Sequence, residues 1–294
     1  MNQTLVGYIF FTLTAFAFGS FEVVSKIALH GRDIDALHVN LARYSIGLII
    51  LLPFALYTIK KDKLTLKDHF DFMKLGILLG LSMLALVSSI PALGSAALAG
   101  LIFSANPIFT VWFGHAIAKE KSGKYLIPAV TTGIIGMIVL SIHKLMEVNH
   151  IGLWGLVLVV FSAITFSLYS VLSKIKNHTV NKHTNIFFTF IWTLITFLVI
   201  LLYRHEPLIM PAMYSDHRVL IALLWIGIVV TGLGYIFYFK GMELAGVHKS
   251  TSVFFLKPLF TATLAWVILG ESITWNMVVG TLIFLLAMYL LYKD

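Results

Sequence analysis

The chain has 294 residues, of which 59% are hydrophobic and 12% charged, with a formal net charge of +8 and a mean hydropathy of +0.95. An average soluble domain carries about 25% charged residues, so this chain has too few polar groups to face water and the bilayer must cover it. The lack of cysteine excludes disulfides, thiolate metal sites and thiol catalysis. The basic residues sit in short gaps between apolar runs, which points to membrane topology rather than nucleic acid.

Ten apolar segments approach the ~20 residues that cross a hydrocarbon core. They cover 5–29, 36–59, 72–90, 95–118, 125–142, 151–174, 184–203, 218–241, 248–270 and 274–292. The third is the shortest and weakest, interrupted by Gly76, Gly80 and serines. The first lacks a basic leader and runs past signal-peptide length, so it reads as a retained span. Arg43 and Lys257 lie inside spans; of the other nineteen Lys and Arg, fourteen share a side with the N-terminus and five lie opposite. The positive-inside rule then places both termini in the cytoplasm.

The chain repeats itself. SANPIFTVWFGHAIAKE at 104–120 and FLKPLFTATLAWVILGE at 255–271 each carry a proline and, thirteen residues on, a glutamate: Pro107 with Glu120, Pro258 with Glu271. Upstream, FGSFEVVSK at 18–26 matches FSLYSVLSK at 166–174. Repeats divide the chain at 1–147 and 148–294. Five spans per half is an odd number, so the second copy is expected upside down. The fold class is therefore an all-α membrane protein of ten transmembrane helices in two inverted five-helix repeats. That is an architecture of secondary transporters, with the site near the midplane where the halves meet. A duplicated scaffold without transport is the bland alternative.

On these residues the chain resembles the EamA-type members of the drug/metabolite transporter superfamily. The resemblance rests on the two Pro-to-Glu segments, the Gly- and Ser-containing starts of both repeats, and Arg43 in ALHVNLARYSIGLIILL. It spans essentially the whole chain and implies uptake or export of small metabolites, commonly amino acids, amines or related solutes. It says little about which, because the residue before each proline varies; here the two are Asn106 and Lys257.

Glu22, Arg43 and Lys257 are the charges inside spans, each costing at least ~2.5–3.5 kcal/mol near a helix centre. At 1.5 Å rise per residue, Glu22 and Arg43 both lie roughly 10 Å from the outer end of their hairpin. A Glu22–Arg43 ion pair is the structural expectation, and a ligand or proton-carrying role for Glu22 the functional one. Lys257 falls about 14 Å from the inner end of its span, roughly 11 Å from Glu22 in depth. It is expected to have no acidic partner and to face a hydrated cavity or an anionic group. Pro107 and Pro258 free the carbonyls of Phe103 and Phe254, and such groups are tolerated where they line a cavity.

The expected substrate-binding set is Lys257, Asn106, Glu22, Tyr235, Trp192 and Tyr169. Tyr235 stands among glycines, and Trp192 lies at mid-depth in its span. The expected function is secondary transport of a small polar metabolite across the cytoplasmic membrane. No cofactor or metal is implied, proton coupling is an accompanying expectation, and either a monomer or a homodimer fits. An exchanger of organic acids or phosphorylated anions is the alternative. An intramembrane enzyme has only His30-x4-Asp35 to offer, and no H-E-x-x-H, G-x-S-x-G or P-loop accompanies it.

Overall fold

The computed structural model describes residues 3–31, 34–119, 125–146, 150–246 and 252–292, which form helices and turns with no strand among them. In chain order the spans are α1 Gln3–Leu29, α2 Ala36–Ile59, α3 Leu66–Leu93, a broken span of α4 Ala96–Phe103 and α5 Asn106–Ala118, α6 Leu126–Met146, α7 His150–Lys176 and α8 Lys182–Tyr203. A short α9 Ala212–Ser215 precedes a composite span: α10 His217–Trp225, a π-helical segment Ile226–Leu233 and α11 Gly234–Ala245. The chain ends with α12 Ser252–Leu269 and α13 Trp275–Tyr292. Eight of these ten spans are long and apolar enough to cross a membrane by length and composition, and α12 and α13 are shorter apolar helices. Ile127, Ile151 and Leu202 are more than half exposed, a surface that acyl chains cover in a multi-pass membrane protein.

The third span is the largest departure from expectation. It is the longest helix, 28 residues, rather than the shortest. Thr65 and Asp68 form a capping box at its start, each satisfying an otherwise orphaned N–H. The carboxylates in its first two turns are paired: Lys176 of α7 bonds Asp68, and Asp71 at 2.9 Å. The helix ends at Gly94, whose φ of 69° is a left-handed cap that favours glycine. Ser95 at once caps α4 by accepting from Leu98 N.

Packing follows a pattern. α3 lies on α7 and α8, α1 on α11 and α12, α2 on α8 and the π segment, α5 on α7, and α6 on α13. Exchanging the first five spans for the second five, in order, turns α3–α7 into α11–α1, α1–α12 into α7–α5 and α3–α8 into the π segment with α2. The α2–α8 and α6–α13 contacts map onto themselves. Each of these contacts, the largest in the bundle, has its counterpart.

Glycine sets the closest approaches. A Cβ on Gly280 of α13 would stand 2.9 Å from Leu140 N and 3.0 Å from Gly136 O, both backbone atoms of α6. A Cβ on Gly80 would meet its nearest atom at 3.5 Å, ordinary contact. Gly280→Ala is therefore expected to lower stability by roughly 1–3 kcal/mol through overpacking. Gly80→Ala should be neutral or stabilising by up to ~1 kcal/mol. Thermal unfolding of the two purified variants in detergent checks the contrast.

Candidate functional site

A cavity of about 1530 Å³ runs into the bundle from one end. Its mouth is formed by Tyr8 near the start of α1, Lys174, Asn177 and His178 around the α7–α8 turn, and Glu243 near the end of α11. Its lining reaches inward as far as Glu22 on α1, Arg43 on α2 and Lys257 on α12.

At that depth Lys257 Nζ donates to Glu22 Oε1 at 2.8 Å, with side chains 5% and 0% exposed. Lys257 thus has an acidic partner, contrary to the depth arithmetic, and Glu22 pairs with it rather than with Arg43. The arithmetic fails because it counts residues from span ends, whereas which residues of α1 and α12 meet is decided by how the two helices cross. The register is set by Gly19, where a Cβ would lie 3.1 Å from Lys257 O and 3.2 Å from Thr261 N. Backbone therefore meets backbone within one turn of Glu22. Lys257 Nζ also lies 3.5 Å from Ser104 Oγ and 4.8 Å from the centre of the Phe103 ring. Glu22 Oε2 is buried and accepts no hydrogen bond from the described residues.

The two prolines behave differently. Pro107 sits at the start of α5, beyond a break in the span, whereas Pro258 lies within continuous α12. The carbonyl of Phe103 that Pro107 cannot serve accepts instead from Asn106 Nδ2 at 2.9 Å. The Asn106 carbonyl in turn accepts from Ser167 Oγ at 2.7 Å and Thr110 Oγ1 at 3.0 Å. Asn106 lines the cavity beside Lys257, though no hydrogen bond among the described residues joins their side chains. Tyr169 and Tyr235 line it too; the Tyr235 ring stands edge-on to Phe18 and Phe190, both at 5.5 Å. Trp192 is not brought to the cavity. Its Cβ lies where α8 crosses α3, 2.4 Å from the Cβ position of Gly76.

The opposite end is closed by a contact that the depth argument missed. The Glu271 carboxylate, in the turn between α12 and α13, sits at the N-terminus of α4. Oε1 accepts from Lys26 Nζ at 2.7 Å and Ala96 N at 2.8 Å, and Oε2 from Ser95 Oγ at 2.7 Å and Ala97 N at 3.0 Å. Lys26 also donates to Gly94 O at 2.6 Å. A carboxylate here meets orphaned N–H groups and the positive end of a helix dipole. The signal was in the repeats: Lys26 ends one repeated motif and Glu271 the other. Glu120, the counterpart of Glu271, lies outside the described residues. Asp35, the acidic half of the enzymatic alternative, caps α2 and bonds His38 at 2.7 Å and Arg204 at 2.8 Å. Its carboxylate is therefore engaged in holding a turn.

A deep cavity with buried ionic groups, inside a bundle of apolar helices, belongs to a multi-pass membrane protein that handles a solute. Residues 5–142 and 153–293 both match the EamA-like transporter family, and the chain belongs to that family. It is a membrane transporter rather than an enzyme. An uncharacterized transporter of Clostridium kluyveri is 29% identical over 98% of this chain and 93% of its own. The uncharacterized transporter YoaV of Bacillus subtilis is 23% identical, covering 96% and 94%. A probable amino-acid metabolite efflux pump of Salmonella typhimurium is 23% identical over 66% of this chain and 67% of its own. One crystal structure superposes with a TM-score of 0.64 over 98% of this chain and 95% of that one, at 14% identity; it speaks for the fold alone.

Burial pushes the Glu271 carboxyl up, but Lys26, Ala96 N, Ser95 and Ala97 N together outweigh it and hold it below the usual glutamate range. A carboxyl depressed on folding contributes stability that is present above the unfolded value and drains as pH falls through the folded one. Glu271→Gln is expected to cost roughly 1–3 kcal/mol near neutral pH and to flatten the loss of stability below about pH 4.5. Unfolding midpoints across a pH series for both proteins test this.

Proposed function

We propose that this protein is a secondary transporter of a small amino-acid-like solute, working by alternating access across the cytoplasmic membrane. In this reading the halves at 1–147 and 148–294 are inverted repeats. Both termini are cytoplasmic, and the site is the Glu22–Lys257 pair with Asn106, Tyr169 and Tyr235 around it. The exchange-invariant packing and the odd number of spans per half support the inversion. The bias of lysine and arginine toward the N-terminal side supports the orientation. The cavity then opens to the cytoplasm, and the Lys26–Glu271 contact closes the outside.

The observation that carries the proposal is the buried ion pair at the inner end of a cavity open on one side. Separating such a pair leaves two charges in a low dielectric, which costs several kcal/mol per ion. A zwitterion avoids that cost: its carboxylate takes Lys257 and its ammonium takes Glu22, so neither residue is left bare. A relative carries an amino-acid efflux name, which agrees with this chemistry. Protonation of Glu22 would release Lys257 and gives a route to proton coupling.

Two variants separate the parts. Lys257→Met strands Glu22 and is expected to lower stability by roughly 3–5 kcal/mol and to abolish transport. The double change Glu22→Gln with Lys257→Met should regain most of that stability and still not transport. In proteoliposomes with an imposed proton gradient, the wild type is expected to accumulate radiolabelled L-alanine or L-glutamate against its own gradient. Normal accumulation by the double variant would end the proposal. Glu22→Gln alone is expected to lose dependence on the pH gradient.

A further inference from the structure

Among the described residues Arg43 has no counter-ion. It is 5% exposed and lines the cavity with Glu22 and Lys257. Its guanidinium lies 4.0 Å from the centre of the Phe21 ring and 5.1 Å from that of Tyr44. Nε donates to Thr231 Oγ1 at 2.8 Å, and Nη1 approaches Met83 Sδ at 3.3 Å. Thr231 spends its own proton on Ile226 O at 2.9 Å, within the π segment, so its oxygen faces the arginine as an acceptor. Every one of these partners is neutral. Among the described residues no carboxylate forms an ion pair with Arg43, and only two of the five N–H groups that a guanidinium carries are engaged.

The buried end of the cavity therefore holds one negative and two positive side chains. Aromatic faces and a hydroxyl offset part of the cost of burying the extra charge, but a charge buried without its opposite is among the most expensive features a fold can retain. The mouth has the same sign. Lys174 and Lys182 line it, and Glu243 is shared with Lys240 at 2.9 Å. A field of that sign draws anions inward.

Resting on the transport reading above, we infer that Arg43 is a carboxylate-binding residue of this site, and that the solute carries one more negative charge than positive. An acidic amino acid meets the requirement. Its α-carboxylate and ammonium replace the two halves of the Glu22–Lys257 pair, and its side-chain carboxylate takes the free edge of the Arg43 fork, the planar two-point geometry that suits guanidinium. The cavity exceeds the ~300–1,000 Å³ usual for small-molecule sites, so size does not exclude it.

Thermal unfolding of the full-length protein in nanodiscs, at fixed ionic strength and chloride, with L-glutamate, L-alanine or L-lysine, tests the inference. L-glutamate is expected to raise the Tm of the wild type most and L-lysine least, since a ligand that binds only the folded state stabilises it above its Kd. Arg43→Gln should weaken L-glutamate binding by at least about thirtyfold while leaving the L-alanine response in place. Without ligand its Tm should equal or exceed that of the wild type, an outcome that a purely structural arginine would reverse. Arg43→Lys, which keeps the charge and loses the fork, should fall between the two. An L-glutamate shift that survives in Arg43→Gln, or no shift by L-glutamate in the wild type, overturns the inference. Stabilisation by L-alanine alone overturns it too, while leaving the transport reading standing; absence of accumulation in proteoliposomes bears on that reading separately.

Discussion

The Glu22–Lys257 ion pair is the constraint around which this bundle is arranged. Two charges in a bilayer interior are tolerated only when they meet each other, water or a ligand. To make them meet, α1 and α12 must pack with backbone against backbone, and Gly19 is what admits Lys257 and Thr261 to that distance. Thr261 Oγ1 then donates to Lys257 O at 3.0 Å, tying up the hydroxyl that faces the same crossing. Gly100 serves the pair from α4: a Cβ there would stand 2.4 Å from Thr261 Cγ2 and 3.2 Å from the Glu22 carboxyl carbon. The charges dictate the small residues, and the small residues dictate how the helices cross.

Around that centre buried hydroxyls join helix to helix at several places. Ser82 of α3 donates to Ser162 O of α7 at 2.8 Å, and Thr193 of α8 to Gly76 O of α3 at 3.1 Å. Hydroxyls of this kind join helices that share no hydrophobic incentive to associate in lipid. The π segment is the irregular member of the set. Its i to i+5 bonding is rare and recurs at functional sites, and here it presents Thr231 to Arg43 while Gly47 of α2 leaves room for the threonine.

Much of this was legible in the chain itself. Nine of the ten spans lie close to their apolar runs, because the requirement for ~20 apolar residues is a local one. The third, expected over 72–90, begins earlier for a tertiary reason: Asp68 and Asp71 lie in its first turns and are neutralised by Lys176, more than a hundred positions away. Five of the six expected site residues line one cavity, since intramembrane charge and proline are rare enough to mark it. Trp192 does not, because mid-depth gives no information about which way a helix face points. The partners of Glu22 and Lys257 could not be reached by counting residues from span ends, which assumes helices of equal length and tilt. The contact at Glu271 needed knowledge of which turn faces the start of α4 across the bundle, which the beginning of an apolar run at 95 does not announce.

The clasp at the closed end has a consequence for how that end can open. Five hydrogen bonds converge on Lys26 and Glu271, linking α1, the cap of α3, the start of α4 and the turn before α13. At roughly 1 kcal/mol net for each, the sum approaches the ~5.5 kcal/mol that carries a two-state equilibrium from 1:99 to 99:1. Because four segments share a single carboxylate and a single ammonium, displacing either group loosens several of them at once. Under the proposed alternation, such a latch would act cooperatively, favouring release of these segments together over a half-open intermediate.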